Sequence, residues 1–413
     1  MKRITQIALG VIASFGGFVD TDELVFNTGA GAHFGYALLW ALVIGVLGIM
    51  VYGEMSGRVS VATRRPLMGL VRERYGPGFG LLTLFAEQVV IVMSLAAQIG
   101  GLALVLQFVA AALPFRLLLT FAYVGFAILF WFLPFEGIER VFGYIGVGLL
   151  IYWVTSLSKG PNWHSALHGL IPRASYGDYW QSIDYWFFAI GVIGAALIPF
   201  KLAFFSSGAI EEGWEGKEGR TFSRDNAVIG FLLGGVMAGG LIFAGAEILH
   251  PYEIHPEYLS SIAFVNQIQL GRAGLYITGA AMLFAIGGAA AESVLAASYN
   301  WTQFFGWEWG KQKPRGRTRK FILVYTVLLL AAYVIVMTGA NPVLIVDYAV
   351  PLSALGLPLS YLATLLVARD RAYMGDYTNG RLANALGWLY LAITVVFAIV
   401  AIPLLIASNH GTK

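Results

Sequence analysis

Apolar residues fill the chain in long runs, and polar residues gather between the runs in short clusters. About 20 consecutive apolar residues are enough to cross a bilayer as a helix. Runs of that kind fall at 4–33, 36–56, 79–111, 114–135, 139–158, 184–210, 227–249, 272–304, 321–338, 342–368 and 383–408, which predicts eleven transmembrane helices. The runs 79–111 and 272–304 exceed what a bilayer requires and are expected to tilt or project beyond it. Two of the eleven are interrupted. The first carries Asp20, Asp22 and Glu23 in its middle, with Gly16 and Gly17 just ahead of them. An ionised carboxylate at membrane depth costs at least about 2.5–3.5 kcal/mol on insertion scales. Such a cluster excludes an ordinary lipid-facing helix but is tolerable where a helix breaks and its backbone lines a polar cavity. The sixth run carries Pro199, which removes a helix hydrogen bond and clashes with the preceding turn. Lys201 follows two residues later, at about mid-membrane.

Composition places nearly all of the chain in the bilayer. Of 413 residues, 58% are hydrophobic and only 12% are charged, against about 25% charged in globular proteins. Mean hydropathy is +0.73. The expectation is an all-α polytopic membrane protein, one transmembrane domain over 1–413, with no soluble domain long enough to fold alone. Fifty glycines suit close helix packing and helix breaks. The absence of cysteine excludes disulfides and thiolate metal ligands. The opening MKRITQIALGVIASFGG lacks a small-residue cleavage site and reads as a retained first helix.

Basic residues orient the spans. With the N-terminus inside, twenty of the 26 Lys and Arg fall on the cytoplasmic side, six of them in KQKPRGRTRK at 311–320. This bias is the positive-inside rule, and it puts the C-terminus outside. Flanked by two spans, 311–320 reads as a topology anchor, and nucleic acid is not an expected partner. The loops 159–183 and 250–258 are expected outside, with His250 and His255 as surface residues rather than metal ligands.

Broken spans at positions one and six are the sign of an inverted-repeat transporter, whose substrate lies between the unwound segments. The repeats would be about 1–158 and 184–368, with 383–408 as an extra helix. Half-helix N-termini favour anions, while unwound carbonyls and half-helix C-termini favour cations. With three acids added, a cation is the expected substrate. Glu87, Glu292 and Asp347 also fall at membrane level, where each can line a polar path or serve packing as a hydrogen-bonded acid. No phosphate loop, zinc-protease motif or nucleophile constellation is present, so neither an enzyme nor a cofactor is expected.

The chain resembles the NRAMP family of divalent metal transporters, which share the LeuT-type fold. The family's first span carries D-P-G-N, then A-G-A and F-G-Y; here Asp20-Thr21-Asp22-Glu23 precedes Ala30-Gly31-Ala32 and Phe34-Gly35-Tyr36 at the same spacing. The family's sixth span, G-x-x-G-A-x-x-M-P-H-N-L, is matched by Gly191, Gly194, Ala195 and Ile198-Pro199-Phe200-Lys201-Leu202. VRERY at 71–75, LFAIG at 283–287, LGLP at 355–358 and MGDYTNGR at 374–381 extend the similarity to about 8–400.

The resemblance implies metal ligands at Asp20 and at Glu23, which stands where the family has Asn. The Met position is Ile198, so no sulfur is offered, and an all-oxygen site suits Mg, Ca or Mn better than softer metals. The expected shell is Asp20 and Glu23, with Asp22 raising the negative potential and Thr21 or a carbonyl near Ile198 completing it. Phe200 and Phe205 replace the family's histidines, Ser94 and Ala97 replace two acids of the third span, and Val350 replaces a tenth-span glutamine. The usual proton route is therefore largely absent, unless Glu87, Glu23 or Lys201 carries it; Asp347 is a candidate substitute for the glutamine. Lys201 can act as a gating salt bridge, stand in the cation's place, or face away. The resulting expectation is a monomeric importer of Mn²⁺ or Mg²⁺ in a bacterial plasma membrane. Its rivals are an organic-solute transporter with Lys201 as internal counter-ion, and a receptor that binds without transport.

Overall fold

The computed structural model describes residues 19–132, 135–172, 177–256, 259–314 and 316–408. Gly16 and Gly17, expected at the break of span one, and the half-span before them lie outside the described residues. The helices at the predicted spans are α1 (Thr21–Phe34), α2 (Leu39–Thr63), α3 (Pro77–Gln107), α4 (Phe115–Phe132) and α5 (Val141–Lys159). The sixth span is split into α6 (Ile183–Ala196) and α7 (Phe200–Glu211). After these come α8 (Gly216–Ala244), α9 (Leu259–Phe305), α10 (Arg319–Met337), α11 (Pro342–Arg369) and α12 (Arg381–Ser408). From 36–56 onward, every predicted span meets a helix at the matching position. The chain is an all-helical integral membrane protein.

The longer helices end where the sequence supplies a reason. α3 has 31 residues, about 46 Å at 1.5 Å per residue, and so outruns a hydrocarbon core of about 30 Å. α9 is broken at Gly271, whose φ of 63° only glycine adopts freely. Its second part therefore begins at 272, where the apolar run begins. Between α1 and α8 the small residues of GAGAH on α1 permit close approach. A Cβ at Gly31 would lie 2.2 Å from the Ile242 carbonyl oxygen, so backbone meets backbone there.

The helices pair across the two expected halves. α1 packs on α6, α2 on α8, α3 on α9 and α4 on α10. α1 and the α6–α7 junction lie at the centre, between α3, α9 and α11.

One end of the bundle is tied by an arginine. Arg58 lies inside α2 and is buried. It pairs with Glu54 at 2.8 Å and donates to the Tyr377 carbonyl and to Asn379 Oδ1, both at 2.6 Å. The conspicuous MGDYTNGR stretch is thus a clasp between α2 and the α11–α12 connection. Removing one partner of a buried charge pair costs about 3–5 kcal/mol. Arg58→Ala is expected to lower the thermal unfolding midpoint in detergent markedly, and Asn379→Ala to lower it less; equal midpoints for wild type and Arg58→Ala would refute the clasp.

Candidate substrate site at the broken helices

α1 starts in the protein interior, and its sequence supplies its own cap. Asp20 is extended (φ −107°, ψ −167°), and its Oδ1 accepts from the N–H groups of Asp22 (2.9 Å) and Glu23 (3.3 Å). Glu23 Oε2 accepts from the Asp20 N–H at 3.3 Å, completing a capping box. Carboxylates suit this end because the helix dipole is positive there. Residues 20–23 are wholly buried.

Facing this terminus is the interruption of the sixth span. α6 ends at Ala196, and Pro199 stands at the N-cap of α7. Lys201 Nζ donates to Glu23 Oε1 at 2.9 Å and to the Ala195 carbonyl at 3.5 Å. The ammonium is held by one carboxylate of span one and one end-carbonyl of α6. The Lys201 side chain is 3% exposed and that of Glu23 is 0%, so the pair is screened from water. Asp20, Asp22 and Glu292 of α9 also lie within electrostatic reach of Lys201.

The other candidates spread around this pair. Asp22 turns to α3, where its Oδ2 accepts from Ser94 Oγ at 3.2 Å. Thr21 Oγ1 faces Gly101 on the same helix. The Ile198 side chain packs with Val90, Ile91 and Phe200, and its carbonyl closes a turn with the Lys201 N–H. Ala195, not Ile198, presents the carbonyl at the junction. Val350 packs on Gly194, while Asp347 is half-buried one turn earlier. Glu87 is buried on α3 and accepts from Asn300 and Ser360.

Three oxygens at the start of α1 are buried without a hydrogen-bond partner: Asp20 Oδ2, Thr21 Oγ1 and Asp22 Oδ1. Such atoms mark places for water or an ion. Yet among the described residues no three or more His, Asp or Glu groups are arranged to hold a metal ion. The geometry explains why. Asp20 is spent partly on its own helix, Asp22 points to Ser94, and Glu23 is engaged by Lys201.

A family profile described as "Natural resistance-associated macrophage protein-like" matches residues 10–403. The chain belongs to the Nramp family. Nramp proteins are transporters, not enzymes. Among curated relatives, a divalent metal cation transporter MntH of Klebsiella pneumoniae subsp. pneumoniae is 25% identical, over 92% of this chain and 89% of its own length. MntH of Klebsiella pneumoniae strain 342 is 26% identical over the same shares. A solved structure of the Eremococcus coleocola manganese transporter superposes with a TM-score of 0.77 at 19% identity, covering 98% of this chain and 88% of that one. The fold is therefore that of Nramp transporters, LeuT-like, and among the described residues span six is broken.

Within this Nramp scaffold, sequence reasoning named Lys201 and Glu23 but left their relation open. It missed the Ser94 and Ala195 contacts. The replacement of an acid by Ser94 was the available signal, since a hydroxyl donor is what the extra acid Asp22 needs. Lys201→Ala and Glu23→Gln should each destabilise the protein, and the double variant by less than the sum. The coupling from a double-mutant cycle of unfolding is expected at about 1–3 kcal/mol; additive losses would contradict a direct pair.

Proposed function

We propose that this Nramp protein imports a divalent metal cation by alternating access. The observation that carries the reading is the set of buried, unpartnered oxygens of Asp20, Thr21 and Asp22 beside Glu23, where two broken helices meet. The MntH relatives, matched over nearly the whole chain, support the cargo class. Asp20 and Glu23 are the ligands, Asp22 adds negative potential, and Thr21 and the Ala195 carbonyl supply neutral oxygens. With no thioether or imidazole in the set, Mn²⁺ or Mg²⁺ is preferred to Fe²⁺. The basic bias of the loops supports a cytoplasmic N-terminus and a bacterial plasma membrane.

Lys201 then acts as a tethered cation. It holds Glu23 in the absence of cargo, and an arriving divalent ion must displace it. The ion gains two charges where the ammonium supplied one, so Glu23, Asp20 and Asp22 together favour the exchange electrostatically. Glu292 lies within reach of Lys201, and we assign it the role of receiving the displaced ammonium.

One observation favours a second reading. The Lys201–Glu23 pair already satisfies the charge that a metal would, and no closed metal cluster exists among the described residues. An organic solute could then be the cargo, with Lys201 as permanent counter-ion.

Uptake into proteoliposomes with trapped indicators separates the two. Wild type is expected to take up Mn²⁺ and Mg²⁺ saturably, and Asp20→Ala to abolish uptake. Lys201→Ala is expected to lower the half-saturating concentration about tenfold, equivalent to about 1.4 kcal/mol. Silence in both wild type and Lys201→Ala would move the assignment to an organic solute.

A further inference from the structure

A second buried carboxylate lies off the junction just described. Glu87 is 4% exposed at the middle of α3. One oxygen accepts from Ser360 Oγ of α11 and the other from Asn300 Nδ2 of α9. Both donors are neutral, and among the described residues no Lys or Arg pairs with Glu87. A carboxylate at membrane depth that lacks a cationic partner is costly, and function is the usual reason for keeping it.

Glu87, Asn300, Ser360, Ser206 and Gln303 line one small cavity of about 10 Å³, room for about one water-sized body. Asn300 is fully buried, and its Oδ1 has no hydrogen-bond partner. The cavity therefore combines a carboxylate, an unused amide oxygen and hydroxyl oxygens. That donor set suits a small hard cation such as Mn²⁺ or Mg²⁺, and the dimensions exclude an organic solute.

The location gives the site a place in transport. The cavity is also lined by Leu202 and Ala203, which follow Lys201 directly, and by Leu67 and Met68, which follow Arg64 and Arg65. It thus lies between the start of α7 and the segment that follows those arginines.

We propose that Glu87, Asn300 and Ser360 form a second site for a hard divalent cation, which the cargo occupies after leaving the Glu23–Lys201 junction. This rests on the metal reading of the function but uses different residues. The Asn300 amide both orients Glu87 and offers the oxygen that becomes a ligand. Ser360 can turn its hydroxyl lone pairs to the ion once the carboxylate is neutralised.

The test is equilibrium dialysis of Mn²⁺ against the purified full-length protein in detergent, for wild type, Glu87→Gln, Asn300→Ala and Asp20→Asn. All variants are checked for unchanged elution on size exclusion. Glu87→Gln is expected to bind one Mn²⁺ fewer per chain than wild type, and Asn300→Ala to weaken that same site at least tenfold. Asp20→Asn should lose a different ion, and the double variant Glu87→Gln/Asp20→Asn should lose both. Loss in Asp20→Asn with wild-type binding in Glu87→Gln would overturn the second site and leave the proposed function standing. Loss in Glu87→Gln alone would support the second site while removing the first. No Mn²⁺ bound by any form would overturn both.

Discussion

The hydrogen-bonded pair of Lys201 and Glu23 is the constraint on which the centre of this molecule depends. It joins the start of one half-helix to the interruption of another, 178 residues away. Taking both charges out of water is expensive, and their attraction repays that cost only when the geometry is good. Here the geometry is supported from both sides. The capping box fixes the Glu23 carboxylate, and Pro199 fixes the start of the helix that carries Lys201. Four acidic side chains lie within electrostatic reach of one ammonium.

The surrounding helices make such a junction possible. Glycine contacts let α1 and α8 approach until backbone touches backbone, and α3, α9 and α11 close the site off from lipid. The polar atoms within the bundle are distributed rather than massed. One carboxyl is bonded by Ser94, another by Asn300 and Ser360, and a third by Lys201. Away from the centre, Arg58 binds α2 to the 374–381 turn. That places a hydrogen-bonded clasp at one end, apart from the Lys201–Glu23 pair at the core.

Much of this was legible in the sequence because the bilayer leaves few options. The spans from 36–56 onward, the break at Pro199 and the location of the charged cluster follow from where apolar runs stop and where Pro199 and the acids fall. The Nramp resemblance of the motifs is confirmed by the match over 10–403. What could not be read was direction. Whether Lys201 faces Glu23 or lipid depends on how far α7 rotates after its break. The turn of Asp22 toward Ser94 depends likewise on where α1 begins. The burial of Arg58 rests on partners more than 300 positions away, which no local pattern reveals. Ile198 was expected to offer its carbonyl, but that group closes the first turn of α7, and Ala195 faces the ammonium in its place.

The central claim is that Lys201 stands where a divalent cation binds. Anomalous diffraction from Mn²⁺-soaked crystals of Lys201→Ala tests this most directly. The account predicts a peak within about 2.0–2.6 Å of Glu23 and Asp20 oxygens, in the space vacated by the ammonium. A variant that folds but shows no density between Asp20, Glu23 and the Ala195 carbonyl at saturating Mn²⁺ would contradict it.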